Sequence, residues 1–338
     1  MLVIGEALVD IVRRPNGSLD VHPGGSPLNV AVGLARLNHH VTLLTELGND
    51  KHGDLVRLHL AAAGVALQQS RPAPVTSVAR ATLGTDGSAE YSFEISWTFE
   101  GADPAHTAPS HLHTGSLATA LEPGAGRIET ILQNARSTSS TSYDPNMRPA
   151  LERDHAEAVA RVERFVALAD VVKASDEDVA WLYPDRSVET VVRSWAEAGP
   201  GIAVITTGGD GAVAATAEGR LVRTAAVSVS VADTVGAGDS FMSALLDRLA
   251  RSDLLGASHR SQLSAVDGDL LSDVMGWASR AAAITVSRPG ADPPTTSEMT
   301  GVGRRHSDDA VGIESYASDP YNNQPPRRRQ PDSKGSRQ

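Results

Sequence analysis

The sequence predicts an α/β fold: a central, mostly parallel sheet flanked by helices, with a small β-sheet lid. Three observations carry this. Short apolar runs of strand length alternate with longer segments of helical spacing, the pattern of parallel strands joined by covering helices. Two stretches break the alternation with turn residues set between runs of alternating polarity, which read as hairpins. From Gly301 onward the apolar periodicity stops.

The chain opens with an apolar strand at residues 2–5. Residues 9–21 hold Arg14-Pro15-Asn16-Gly17-Ser18 between two apolar runs and form the first hairpin; the glycosylation pattern at Asn16 is read as its turn. A helix follows over 27–37, a strand over 41–44, and a helix over 50–63 closed by Gly64. The second hairpin spans 76–99, with its turn at 85–88. Strands are expected at 111–114, 140–144, 171–173 and 203–206, and helices at 153–168, 190–197, 239–249 and 271–286. Lid material thus comes from about 9–22 and 75–99. The folded domain is expected to span 1–300. Residues 301–338, rich in Ser, Pro, Asp and Arg, cannot bury enough apolar surface to offset chain entropy and are read as a disordered tail.

Composition removes several classes. The chain has 338 residues and no cysteine, so disulfides, zinc ribbons and Cys nucleophiles are excluded. A formal net charge of −11 argues against a general nucleic-acid binder. No apolar run is long enough to cross a membrane, and no secretion signal opens the chain, so a cytoplasmic protein is expected. Only three lysines occur, Lys51, Lys173 and Lys334, and none follows a glycine-rich loop. No P-loop lysine is therefore present. A dinucleotide-binding oxidoreductase also fails, because no Gly-x-Gly-x-x-Gly follows the first strand. His111 and His113 would share one face of a strand, but no third ligand has suitable spacing, so they are read as packing or cleft-lining residues.

The most informative segment ends a β-rich run in Asp233-Thr234-Val235-Gly236-Ala237-Gly238-Asp239 and continues as an amphipathic helix. Glycine-rich backbone at a helix N-terminus presents free N–H groups and the positive end of the helix dipole, an anion site suited to phosphate. Asp239 reads as a helix cap or as a general base beside that site. Gly24 and Gly25 read as a turn, or as a place where backbone approaches a ligand. Asn29 reads as a helix residue facing solvent, or as a group that both donates and accepts. Thr206-Thr207-Gly208-Gly209-Asp210-Gly211 reads as a hairpin turn or a nucleotide loop.

The 233–239 string resembles the C-terminal signature of the ribokinase-like, or PfkB, family of carbohydrate kinases. Gly5-Glu6-Ala7-Leu8-Val9-Asp10 followed by Pro23-Gly24-Gly25-Ser26-Pro27-Leu28-Asn29-Val30-Ala31 resembles its N-terminal signature. The resemblance covers about residues 1–295. It implies a ribokinase-like fold and an ATP-dependent phosphotransferase acting on a primary sugar hydroxyl. Asp239 would then be the general base, with Gly236, Ala237 and Gly238 completing an anion hole at residues 236–239. Asp10, Gly24, Gly25 and Asn29 would bind the sugar. Asp144-Pro145-Asn146-Met147-Arg148 is similar to a string of fructokinase-like and 2-keto-3-deoxygluconate-kinase-like members, which adds Arg148 to the substrate side.

On the nucleotide side the resemblance implies Thr206, Gly208 and Gly211, with Lys173 and Ser175. Asp178 stands where many relatives carry Glu, and it would organise Mg²⁺ through water. Asp233 would serve a monovalent cation such as K⁺. Charge on the phosphates would otherwise be met by backbone N–H groups, Mg²⁺ and arginine. Fructose is the expected acceptor, with 2-keto-3-deoxygluconate, ribose or another sugar as alternatives. A non-catalytic sugar or nucleotide sensor on the same fold is the alternative from another class. Partners are expected to be the sugar and ATP, with no nucleic acid and no membrane. A homodimer through the lid is a further expectation, based on apolar positions such as Val78, Ala81, Tyr91, Phe93, Ile95 and Trp97.

Overall fold

The structure, a computed structural model, describes residues 1–69, 71–84, 89–100 and 109–301. The predicted turn at 85–88 and residues 302–338 of the predicted tail lie outside the described residues. The strands in chain order are β1 (Leu2–Ile4), β2 (Leu8–Arg13), β3 (Leu19–Gly24), β4 (Thr42–Thr45), β5 (Ala66–Gln69), β6 (Val78–Leu83), β7 (Ala89–Glu94), β8 (His111–Gly115), β9 (Ser140–Asp144), β10 (Val171–Ser175), β11 (Ile202–Thr206), β12 (Ala212–Thr216) and β13 (Leu221–Thr224). The helices are α1 (Ser26–Arg36), α2 (Lys51–Ala62), α3 (Gly124–Ala135), α4 (His155–Leu168), α5 (Asp176–Leu182), α6 (Val188–Ala198), α7 (Ala237–Arg251), α8 (Arg260–Ser264), α9 (Gly268–Val286) and α10 (Thr296–Thr300).

Nine strands form the main sheet in the order β13-β12-β11-β10-β9-β8-β1-β4-β5. Seven of them run parallel, from β11 to β5, while β12 and β13 are antiparallel additions at one edge. Strand alternation sorts side chains between two cores. Val3, Leu43, Val171 and Val204 join α1, α2, α7 and α9 on one face. Leu2, Ile4, Leu44, Val172 and Ile205 join α3, α4, α5 and α6 on the other.

The two predicted hairpins do pair into one small sheet, ordered β3-β2-β6-β7. The first hairpin closes because Gly17 takes a φ of 84° and the Asn16 side-chain oxygen accepts from the Ser18 amide at 3.0 Å. Strands β2 and β6 run parallel at its centre, so the lid is built from segments far apart in sequence.

Three expectations need correction. The β-rich run before Asp233 is not a strand: residues 225–231 take no part in either sheet, and Val227, Val229 and Val231 are exposed. Trp97 is not a lid-face residue. It is buried on the α3 side of the main sheet, stacked on Phe99 at 5.0 Å and donating its indole N–H to the Ala118 carbonyl at 3.0 Å. Helix α3 was not expected, since Gly124-Ala125-Gly126 opens it and only Ile128 and Leu132 mark its buried stripe.

Phe165 of α4 is fully buried and stacks on Tyr143 of β9 at 5.2 Å. Phe165→Ala is expected to cost about 3–5 kcal/mol of unfolding free energy, measured by denaturant titration with an unchanged m-value.

Candidate active site

The site is assembled where α1 packs against α7, at the C-terminal ends of the parallel strands. Helix α7 starts after Gly236, which adopts φ 75°, a left-handed conformation. A Cβ at this position would also lie 2.6 Å from the Ala291 side chain, so the turn requires glycine on two grounds. The amides of the following turn have no helical acceptor. Asp239 occupies the third helical position and is buried. Its Oδ1 accepts from the Ser26 hydroxyl at 2.6 Å and its Oδ2 from the Asn29 side-chain amide at 2.8 Å. Asn29 therefore does not face solvent; it orients Asp239. Ser26 was quoted in the motif without a role, and its burial with a partner 213 residues away could not be read from spacing.

Backbone geometry places the lid beside this pair. Gly25 caps α1 with φ 107°, and a Cβ there would stand 2.7 Å from the Glu6 carbonyl. A Cβ at Gly24 would overlap the Asp10 carboxylate, so Asp10 of β2 lies directly over this glycine. Burial raises the pKa of Asp10, and the charge of Arg148 acts in the opposite direction. Arg148 is exposed, with one guanidinium nitrogen held by Asn146 Oδ1 at 2.7 Å and the Met147 carbonyl at 2.8 Å. Asn146 takes a φ of 38°, the bend that turns the chain after β9. Glu6 was missed: it is fully buried, accepts from the Ala118 amide at 3.0 Å, and burial pushes its carboxyl up to about 7.

Beneath the first turn of α7 lies a buried ion pair. Lys173 Nζ stands 2.9 Å from Asp144 Oδ2, with both side chains almost wholly enclosed. Lys173, expected on the nucleotide side, enters this region from below through β10 and not from a glycine-rich loop. Burial raises the Asp144 carboxyl to about 6 despite the ammonium.

The remaining expected nucleotide and metal residues have local partners. Ser175 and Asp178 form a reciprocal cap at the start of α5, and Asp178 also accepts from the Met147 amide at 2.8 Å. Thr206 pairs in register with Ser175 and donates to the Ala174 carbonyl at 3.3 Å. Gly208 opens the β11–β12 turn with unobstructed space around it. Gly211 is pressed against the Thr224 carbonyl with φ 105°, so its glycine serves the hairpin. Asp233 accepts from the Val235 amide at 3.0 Å and the Gly290 amide at 2.9 Å, joining two loops. Among the described residues no group of three or more His, Cys, Asp or Glu is placed to hold a metal ion. His111 and His113 bond to Ser140 and Ser142 on β9, and burial holds both well below the ordinary histidine range, uncharged.

The chain is similar to known proteins in sequence and in fold. The family model described as pfkB family carbohydrate kinase matches residues 1–298. A fructokinase of Klebsiella pneumoniae is 33% identical over 260 residues, covering 73% of this chain and 83% of its own. Among solved structures, a fructokinase with bound ATP from Xylella fastidiosa superposes with a TM-score of 0.78 at 24% identity, covering 89% of this chain and 97% of that one. A fructokinase double mutant from Vibrio cholerae O395, solved with fructose, ADP and a potassium ion, gives 0.72 at 26% identity, covering 89% and 97%.

The raised carboxyls set a pH dependence. Glu6 and Asp144 bind protons in the folded protein that the unfolded chain has already released between their ordinary values of 4.5 and 3.8 and the folded values near 7 and 6. Stability therefore falls as pH rises through that window. The Glu6 share is on the order of 3 kcal/mol. Thermal melts from pH 5 to 7.5 should show this decline, and Glu6→Gln should flatten it.

Proposed function

The chain belongs to the pfkB family of carbohydrate kinases, and we propose that it transfers the γ-phosphoryl group of ATP to a primary hydroxyl of fructose. It is a phosphotransferase with an alcohol acceptor. The observation that carries the finer reading is Asp239: a carboxylate in the first turn of an open helix N-terminus, its two oxygens oriented by Ser26 and Asn29. The acceptor oxygen attacks the γ-phosphorus while its proton passes to Asp239, and the bond to the departing ADP oxygen breaks. Amides of residues 236–239 face the developing negative charge. Asp10, with Gly24 leaving room for its carboxylate and Gly25 turning the chain beside it, accepts hydrogen bonds from sugar hydroxyls, and Arg148 closes the same side.

ATP brings a divalent ion on its phosphates, and Mg²⁺ is the expected one. Asp178 already accepts three hydrogen bonds and the described residues form no metal cluster, so no step is assigned to a protein-held metal. The K⁺ expectation rests on Asp233 and on the potassium-bound fructokinase variant. The preference for fructose rests on relatives bearing that name at 30–33% identity. Among the described residues no helix is long and apolar enough to cross a membrane, which accords with a cytoplasmic location. Leu19 and Val21, exposed on edge strand β3, support pairing of two lids in a homodimer.

Coupled ADP release with Mg²⁺ across fructose, ribose and 2-keto-3-deoxygluconate tests the assignment. Turnover is expected to be highest on fructose and to fall by about 10³-fold or more in Asp239→Asn, with the fold retained. Binding of a sugar without turnover would instead indicate a sensor, and turnover on the keto acid alone would replace fructose.

A further inference from the structure

Helix α5 is short, yet its first turn reaches outside its own segment. Ser175 and Asp178 bond reciprocally there. The Asp178 amide donates to Ser175 Oγ at 3.0 Å, while Asp178 Oδ2 accepts from the Ser175 amide at 2.9 Å and from its hydroxyl at 2.8 Å. A capping box of this kind needs only one oxygen of the carboxylate. The other, Oδ1, accepts from the Met147 amide at 2.8 Å, 31 residues back along the chain.

The peptide between Asn146 and Met147 is thereby held from both sides. Its N–H is taken by Asp178, and its carbonyl accepts from Arg148 Nη1 at 3.1 Å. The same guanidinium nitrogen meets Asn146 Oδ1 and the Met147 carbonyl. Asn146 sits at φ 38°, a conformation that a non-glycine residue keeps only where its surroundings enforce it. Met147 supplies part of that constraint by burying its side chain in the core shared with Tyr143 and Phe165. The bond to Asp178 supplies the rest.

We propose that Asp178 is a positioning residue of the substrate side: by holding the Met147 amide it fixes the Asn146 bend, and with it the direction of the Arg148 guanidinium, in place of organising Mg²⁺. This rests on the reading of Arg148 as a sugar-side group. The donor set points the same way. Mg²⁺ keeps several of its waters and needs carboxylate oxygens that can accept from them. Both oxygens of Asp178 already serve donors of the protein, and the side chain is buried.

Fructose binding by the full chain is measured calorimetrically with neither ATP nor Mg²⁺ present, so that a metal role cannot enter the readout. Asp178→Ala, Arg148→Ala and the double variant are compared, with thermal melts alongside. Asp178→Ala is expected to raise the fructose Kd by about 10-fold, and Arg148→Ala by about 10-fold or more. The double variant should lie within about twofold of Arg148→Ala, because one residue acts through the other. Additive losses would overturn the proposal. So would an unmoved Kd in Asp178→Ala: a raised Mg²⁺ requirement in the ADP-release assay would then assign the residue to the metal, and a lowered melting temperature alone would leave it a helix cap. Should Asp178→Ala not fold, the isosteric Asp178→Asn decides. It offers one acceptor oxygen for which three donors compete, so Kd should rise by about two- to fivefold, and an unmoved Kd overturns the proposal. An unmoved Kd in Arg148→Ala, or no fructose binding by the unaltered chain, would instead remove the substrate-side reading of Arg148, and the inference with it.

Discussion

The contact between α1 and α7 is the constraint on which the site depends. Ser26 and Asn29 reach Asp239 only because the two helices approach closely. Where they cross, a Cβ on Gly33 would lie 2.7 Å from the Ser243 Cβ, so no larger residue fits without spreading them. Two turns beyond Asp239 the same helices are joined again. Asp247 is fully buried and receives His39 at 2.8 Å, Arg251 at 2.7 Å and the Trp277 indole at 2.9 Å. Arg251 also caps the Leu37 carbonyl at 2.9 Å, tying α7 to the end of α1. Position along α7 is thus fixed at both ends, and with it the direction of the Asp239 carboxylate.

Around this frame the chain places charge where water is excluded. Its surface is acidic overall, so a polyphosphate approaching it meets repulsion at long range. Positive groups of opposite sign gather at the candidate site: the N-terminus of α7, the exposed guanidinium of Arg148, and the enclosed ammonium of Lys173 below. Glu6 and Asp144 show the cost: burial is the largest cause moving both carboxyls toward neutrality, and the charges of Asp178 and Asp239 add to it at Asp144. Active regions are where such displaced titrations are expected to gather.

Much of the fold was legible because periodicity reports burial on two faces. Strand β9 over 140–144 and helix α4 could be read directly from their patterns. The misses share a cause. Strands β12 and β13 are alanine- and threonine-rich or short, and their pairing is with neighbours the pattern does not name. The valine run at 225–231 has strand composition but joins no sheet. In the site, the two glycine motifs and Asp239 stood out because left-handed and crowded backbone demands glycine. Ser26, Glu6 and the Lys173–Asp144 pair did not, since each has meaning only through a partner far along the chain. Ser175 and Asp178 show the converse: a local cap explains spacing that also suggested a ligand role.

The distance in sequence between the two halves of the site has a temporal meaning. Asp10, Ser26 and Asn29 leave the ribosome early, whereas Asp239 arrives more than two hundred residues later. At synthesis rates of about 5–20 residues per second, the N-terminal portion waits for roughly ten seconds or more before its partner helix exists. Face-forming strands such as β1 and β4 can pair during that interval, but the α7-facing side of α1, which carries Ser26, Asn29 and Gly33, stays uncovered until α7 exists. A chain truncated before residue 237 therefore holds Asp10, Ser26 and Asn29 without Asp239. The Ser26–Asp239 and Asn29–Asp239 contacts can form only once α7 exists.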